Sequence, residues 1–526
     1  MLIGYVSDER HMALADVLLS LTGADGNSCQ VRSGADGAIF AAVEPGDYEV
    51  TLACEGYGGK RVSMTVAADR PYQFRLLSKR LLGYAWPKWV RSGERSEFRV
   101  HSPEPYKLSL WRYGWEKEFI RNLGWYDDHG PLATLQITPD GDFTQSGVQW
   151  NRVGYALTWH RQYVEAPARS GLYYFHVKTL SGAFFGFPWI VQPAAARAPI
   201  AVLASNMDWN AYNNFGGRSN YVAQDGIALR PTVHARQDLA RFTRPDTWPF
   251  DVHGAPLSFD RPELFNVVPE DARITDPVEG RLESAMAPAE WRLLGWLERE
   301  GFDYDLYSGT ALHFGEIDLD AYRVLILNTH PEYFSKEMYL QVKRWVYERG
   351  GQLLYLGGAG LQAEVELPDH ATMLCREELR TDLRQEPEAT LLGVGYTHDG
   401  YQSGAPYRVL DADHWVFAGT GLYNGDRFGH RSLHERCPGG ASAHELDKLS
   451  PHSPPNTRHL AKGDNAGGDG ADMVLFETDS GGMVFAVGSL AWPLSIVVDE
   501  QVSQITANVL RHCLRGVEDE PRSSAD

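Results

Sequence analysis

The stretch from Val324 to Leu356 constrains this chain more than any other. Val324-Leu325-Ile326-Leu327 reads as a buried strand and Asn328-Thr329-His330-Pro331-Glu332-Tyr333 as a short loop. Ser335 to Arg349 carries a helix pattern, Gly350-Gly351 stop it, and Leu353 to Leu356 is a second apolar run. Strand, loop, helix, glycine stop and strand, in that order, predict a parallel α/β unit. Ligands in such units sit beyond the carboxyl ends of the strands. The loop puts His330 and Glu332 at that end, with Pro331 between them restricting the backbone.

Charge limits the partners. Lys+Arg 49 against Asp+Glu 69 gives a net charge of −20. Such a chain repels phosphate backbones and anionic bilayers, so neither nucleic acid nor membrane is expected as a partner. No stretch approaches ~20 uninterrupted apolar residues, so no transmembrane helix is expected. Met1 to Arg10 lacks the basic and apolar regions of a secretory leader, which makes cytoplasmic residence the default expectation. Five cysteines (Cys29, Cys54, Cys375, Cys437, Cys513) form no CxxC pair and are odd in number. That argues against a disulfide scaffold and against a thiolate zinc site.

A chain of 526 residues has room for three or four domains at ~150 residues each. Residues 1–78 hold short strand-like runs between turns, among them Val17 to Leu21, Ala35 to Phe40 and Glu44 to Val50, which predicts a small β-sandwich. Residues 79–197 stay β-like, with alternation at Glu97-Phe98-Arg99-Val100 and Lys107 to Trp111, and predict a second antiparallel sandwich. Pro193 to Pro199 reads as a linker. From 198 to 516 the pattern changes: a buried strand at Ile200 to Ala204, a helix at Ala289 to Glu300, the unit described above, a hairpin within Met473 to Val487 and a closing helix at Val502 to Leu514. Residues 517–526 form a polar tail expected to be disordered. The expectation is therefore two N-terminal β-sandwich domains followed by an α/β catalytic domain, Rossmann- or flavodoxin-like, with a mainly parallel sheet.

Four segments could carry chemistry. In His330-Pro331-Glu332, Glu332 could bind a metal ion beside a substrate-facing His330; the plainer reading is a helix start capped by Ser335 with Glu332 in solvent. Asn206 to Tyr221 follows the strand ending at Ala204, and Gly216-Gly217 permit close backbone approach. There Tyr212 could supply a phenolate and Asn210 or Asn213 orient a substrate, or the segment could be an Asn/Gly-rich surface turn. In Ser258 to Glu263, Asp260 and Arg261 could pair, and Glu263 could be a ligand or a turn charge. Glu477 sits in the apolar run Leu475-Phe476-Glu477, either tuned as a general base or facing water at an edge.

Taken together, these motifs resemble the N,N-dimethylformamidase large (beta) subunit family. The resemblance rests on Asn210 to Tyr221, Ser258-Phe259-Asp260-Arg261-Pro262, His330-Pro331-Glu332-Tyr333, and Phe476-Glu477-Thr478 followed by Gly488 to Trp492, across about 200 to 515. Residues 1–78 are similar to the carboxypeptidase regulatory-like domain. The family resemblance implies a hydrolase acting on carbon–nitrogen bonds other than peptide bonds, in linear amides. It also implies a mononuclear iron held by two tyrosines and a glutamate, with water attacking a small amide. By position, Tyr212 and Glu332 look like ligands, His330 like an active-site histidine and Glu477 like a catalytic glutamate; Asn210 stays the candidate for orienting substrate. The second tyrosine should follow Arg261-Pro262, where this chain has Glu263; an asparagine should follow Gly357-Gly358, where it has Ala359. A Tyr212, Glu263, Glu332 set is still oxygen-rich and suits iron, with manganese or zinc as the alternatives. The resemblance implies a small-molecule amide as partner and allows a homo-oligomer; no sign of a small partner subunit is seen. The alternative in a different class is a non-catalytic ligand-binding protein, with Trp111, Trp115 and Trp125 as an exposed aromatic row holding a carbohydrate or small molecule. An oxygen-using iron enzyme would prefer histidine-rich ligation, which these motifs lack.

Overall fold

The computed structural model describes residues 1–10, 12–127, 162–216, 219, 220, 231, 256–278, 286–375 and 386–515. Gly217, Arg218 and Tyr221 and the tail 517–526 lie outside these. Residues 2–75 build a three-stranded and a four-stranded sheet. Ile3, Val6, Leu19, Leu21, Val50, Leu52 and Phe74 fill one core between them. Alternation explains this: in Lys60–Val66 buried and exposed residues take turns. Residues 82–192 add a three-stranded and a five-stranded sheet around Phe98, Val100, Leu108, Leu110, Phe175, Phe187 and Trp189. The tryptophans form no exposed row: Trp111 and Trp115 are partly buried against the large core, and Trp125 alone is half-exposed. That removes the main support for a sugar-binding surface.

The linker is anchored. The amides of Arg197 and Ala198 both donate to Asp305 Oδ2, at 2.8 and 3.2 Å. Beyond it lies a nine-stranded sheet. In chain order its strands are β1 (Ile200–Ala204), β2 (Tyr304–Ser308), β3 (Val324–Thr329), β4 (Gln352–Gly357), β5 (Tyr407–Val409), β6 (Arg427–Phe428), β7 (Arg458–Gly463), β8 (Asp472–Glu477) and β9 (Met483–Ala486). Their spatial order is β2-β1-β3-β4-β9-β8-β7-β5-β6. The first five pair parallel; from β9 onward every pairing is antiparallel.

The expected Rossmann- or flavodoxin-like domain with a mainly parallel sheet is thus corrected. Half of this sheet's neighbouring pairs are antiparallel. Antiparallel pairing also dominates the sheets before it, and described helices are few. The physical reason lies after β4. The chain does not return through crossover helices but runs through short strands, and the tight turn at Asp479-Ser480-Gly481-Gly482 reverses β8 into β9. A parallel neighbour would have needed a crossover of a dozen or more residues there.

Among the described residues, the helices of seven or more residues are α1 (Asn206–Tyr212), α2 (Ala287–Arg299), α3 (Lys336–Arg349) and α4 (Glu500–Cys513). α3 starts where Ser335 accepts the Met338 amide and stops at Gly350, left-handed at φ 76°. It buries Met338, Tyr339, Val342, Trp345 and Val346, one stripe at helical spacing. No described helix is long and apolar enough to cross a membrane.

α2 carries a buried acid, Glu290, whose Oε1 accepts the Ser205 amide at 2.7 Å. Burial pushes its carboxyl up to about 8 from 4.5. The folded chain then keeps a proton that the unfolded chain releases between these two values. Stability from this group is full below about 4.5 and is lost as pH rises towards about 8. Glu290→Gln should therefore raise the melting temperature relative to the parent at pH 8 and not at pH 4.5, a gap of a few kcal/mol. Equal melting-temperature differences at both pH values would refute a proton held on Glu290.

Candidate active site at the carboxyl ends of the central strands

β3 is buried throughout and ends at Thr329, where φ is +53°. That conformation is rare for a β-branched residue. It turns the chain so that His330 and Glu332 fold inward, 2% and 9% exposed. Ser335 does cap α3, as the plainer reading has it, but Glu332 is not a solvated charge. Its amide donates to Asp208 Oδ1 at 3.0 Å. Its Oε2 accepts the Tyr212 hydroxyl at 2.5 Å.

Asp208 and Tyr212 both come from α1, four residues apart and hence on one face. The Tyr212 ring lies alongside His330, centroids 6.0 Å apart, and edge-on to Tyr333. Tyr333 in turn accepts the Asn220 amide at 2.7 Å. Donor atoms of Asp208, His330 and Glu332 fall within 4.8 Å of one another, all three residues buried. Burial drives the Asp208 carboxyl well above its usual range; His330 pulls it down and Glu332 adds to the rise.

A fourth acid closes the group. Glu445 Oε2 stands 2.8 Å from His330 Nε2, against 3.6 Å for Glu332 Oε2. Burial alone would lower the His330 pKa, but the charges of Glu445, Glu332 and Asp208, with the Glu445 contact, push it up to about 10. Glu445 reaches His330 because Gly357-Gly358 let its loop approach. A Cβ on Gly358 would meet the Glu445 carbonyl at 2.5 Å, and one on Gly357 the Thr329 carbonyl at 2.0 Å. Asp447 ties the same segment to the end of β4, accepting the Tyr355 hydroxyl at 2.6 Å and the Ala359 amide at 2.9 Å. Burial raises its pKa to about 7. Thr329, Ala359, Leu361 and His444 all have positive φ, four of the six non-glycine cases described. Such strain costs ~1–3 kcal/mol per residue and gathers where a site needs it.

The other candidates lie elsewhere. Asn210 is wholly buried, its Oδ1 accepting from Arg261 Nη2 at 3.0 Å and Nε at 3.3 Å. Arg261 also donates to the carbonyls of Phe215 and Ser258, so the pair fixes loops rather than facing a substrate. The acid that Asp260 was expected to offer Arg261 goes instead to Arg99 and to the Tyr84 hydroxyl. Glu263 is engaged by Lys88 Nζ at 2.5 Å and by Asn266 Nδ2 at 2.9 Å; it belongs to neither group of clustered metal-capable residues among those described. Glu477 is exposed at the wrong edge. It pairs with Met483, which pairs with Gln352, which pairs with Val324. That is the amino end of β3, roughly 20 Å from His330 at ~3.3 Å per residue. Asp208 and Glu445, not Glu263 and Glu477, are the acids that lie with Glu332 beside His330. The signal for Asp208 was its helical spacing from Tyr212. Glu445 had only the charged His444-Glu445-Leu446-Asp447 run after Ala441-Ser442-Ala443 to mark it.

The first N-terminal sheets reach this region too. Arg75 donates to the carbonyl of Gly216, and the Gly216 amide to the Glu9 carbonyl at 2.6 Å. Gly216 has φ +87°, which favours glycine.

The sequence of the N,N-dimethylformamidase beta subunit from Alcaligenes sp is 26% identical over 403 residues, 64% of this chain and 51% of that one. The beta subunit from Paracoccus aminophilus matches to the same extent. The chain spans about half the length of these curated relatives. Likeness to solved structures is slight: a beta-galactosidase from Bacillus circulans sp. alkalophilus aligns with 43% of this chain and 26% of its own at a TM-score of 0.28 and 13% identity, too low to carry an argument. The profile described as N,N-dimethylformamidase beta subunit-like, C-terminal, matches residues 109–504 and so takes in Asp208, Tyr212, His330, Glu332 and Glu445. By that match over most of its length, the chain belongs to the N,N-dimethylformamidase beta subunit-like family.

Proposed function

We propose that this chain hydrolyses the C–N bond of a small non-peptide amide with the help of one metal ion. The observation that carries the reading is the meeting of Tyr212 and Glu332 at 2.5 Å beside buried Asp208. The residues fit an ion. Asp208 Oδ2 has no hydrogen bond among the described residues, and a buried carboxylate oxygen left that way is costly unless positive charge meets it. Tyr212, Glu332 and Asp208 would hold the ion. Phenol and carboxylate oxygens are hard donors, which favours iron or manganese over zinc. When bound, such an ion polarises a carbonyl and makes water a stronger acid.

The chain's own residues do the rest. Glu445 takes a proton from the attacking water as its oxygen bonds to the carbonyl carbon. The N–H of His330 faces the carbonyl oxygen as negative charge builds there. When the C–N bond breaks, the proton taken by Glu445 passes to the leaving nitrogen, giving a carboxylic acid and an amine. The names of the relatives point to N,N-dimethylformamide as the first substrate to try. The test is dimethylamine release by the purified chain after loading with iron, with manganese and zinc in parallel. Loading-dependent release is expected. No metal retained, and no amine from a panel of small formamides and acetamides, would overturn the proposal.

A further inference from the structure

A second cluster of donors lies next to Glu445 and takes no part in the chemistry above. His434, Cys437 and His444 are 1%, 2% and 6% exposed, and one donor atom from each lies within 4.8 Å of the others. Cys437 Sγ is 3.5 Å from His444 Nδ1. The two imidazole rings stack with centroids 5.0 Å apart. His434 Nδ1 accepts the Cys437 amide at 3.2 Å, which draws the histidine over the cysteine. Around the thiol, Ala443 and Ala491 are apolar.

We propose that His434, Cys437 and His444 form a second metal site, a thiolate–imidazole set that takes a zinc-class divalent ion. A cysteine in an apolar pocket packs well as a small hydrophobe and needs no polar company. Here two imidazoles converge on it, which sets one sulfur and two nitrogen donors around a single point. One sulfur and two nitrogens are the donors zinc prefers, quite unlike the oxygen set of Tyr212, Glu332 and Asp208. Binding replaces the S–H bond with a sulfur–metal bond and releases the thiol proton to solvent; the imidazoles enter neutral, the Cys437 amide giving up its bond to His434 so that the ring's one lone pair goes to the metal, and no oxidation state changes. Three protein ligands leave a fourth position for water.

The backbone supports the same geometry. His444 has φ +74° and is held there by two backbone bonds, its amide to Ser403 and its carbonyl from Gln402. Ser489 Oγ accepts the neighbouring Ala443 amide at 2.9 Å. An ion on His444 would brace the residue directly before Glu445. The absence of a CxxC pair argued against a thiolate site; the pattern that marks this one is His434-x-x-Cys437 with His444, a single thiolate in place of a pair.

The test does not depend on amide turnover. The full chain is loaded with cobalt(II), and its near-ultraviolet absorption is read for a thiolate-to-cobalt charge-transfer band. The band is expected in the unmodified chain and in Glu332→Gln, and lost in Cys437→Ser and His434→Gln, with zinc affinity falling at least ~10-fold in the last two. Should those variants fail to fold, X-ray absorption of the zinc-loaded unmodified chain answers alone: one sulfur at ~2.3 Å with nitrogen neighbours is expected. No thiolate band, an unchanged band in Cys437→Ser, or zinc surrounded by oxygen and nitrogen only would overturn the site.

Discussion

Glu332→Ala should strip the chain of the ion at its oxygen-rich site and take amide turnover to background. The carboxylate is the point on which the other groups converge: the Tyr212 hydroxyl reaches it at 2.5 Å and His330 stands 3.6 Å away. Its own amide fixes Asp208. Without it, a phenol and a carboxylate remain on α1 with no ligand opposite them in the loop after β3, and a two-ligand site does not hold a hard cation against water. Iron content by elemental mass spectrometry should fall to roughly a tenth or less of the parent's. Glu263→Gln supplies the contrast. It should keep both metal and turnover but lower the melting temperature, because Lys88 would lose its buried partner at a cost of ~3–5 kcal/mol. Full iron occupancy in Glu332→Ala, or iron lost in Glu263→Gln with the fold intact, would return the ligand role to Glu263.

What could be read beforehand follows from how local each signal is. The loop between β3 and α3 was legible because its strand, cap and glycine stop are contiguous; His330, Glu332 and Ser335 sit where the pattern places them. Tyr212 was legible for the same reason, following a buried strand. The sheet's second half was not, because β5 and β6 are short, β5 to β7 are irregularly spaced, and nothing local distinguishes a return by antiparallel strands from a return by helices. Glu477 misled because a carboxylate in an apolar run looks buried, although as the last residue of β8 it emerges into solvent. Glu263 follows Arg261-Pro262, where the resemblance sets a tyrosine ligand, and nothing local announces that Lys88, 175 residues earlier, engages it. Glu445 depends wholly on long-range contact: Gly358 must admit its carbonyl and Asp447 must anchor its strand before it meets His330.

That dependence makes Glu445→Gln the sharpest test of the chemistry. Glutamine keeps the shape and the contact with His330 but cannot take a proton from water. The loss of a positioned general base is worth ~10²–10⁴ in rate. A fall of that size in kcat is expected, with KM and iron content close to the parent's, because Glu445 is not among the oxygen donors proposed for the ion. Glu477→Gln, roughly 20 Å away along the strands and three strands across the sheet, should leave all three unchanged. Asp447→Asn separates base from scaffold. Its carbonyl still accepts the Ala359 amide, while its NH2 can meet the Tyr355 oxygen only as a donor, so the anchor is weakened and the base untouched; a small effect there beside a large one at Glu445 assigns the lost rate to the proton acceptor and not to a displaced loop. Should Glu445→Gln keep full kcat while Glu477→Gln loses it, the proton acceptor would have to be sought at the far edge of the sheet, and the site at His330 would be a binding pocket without a base.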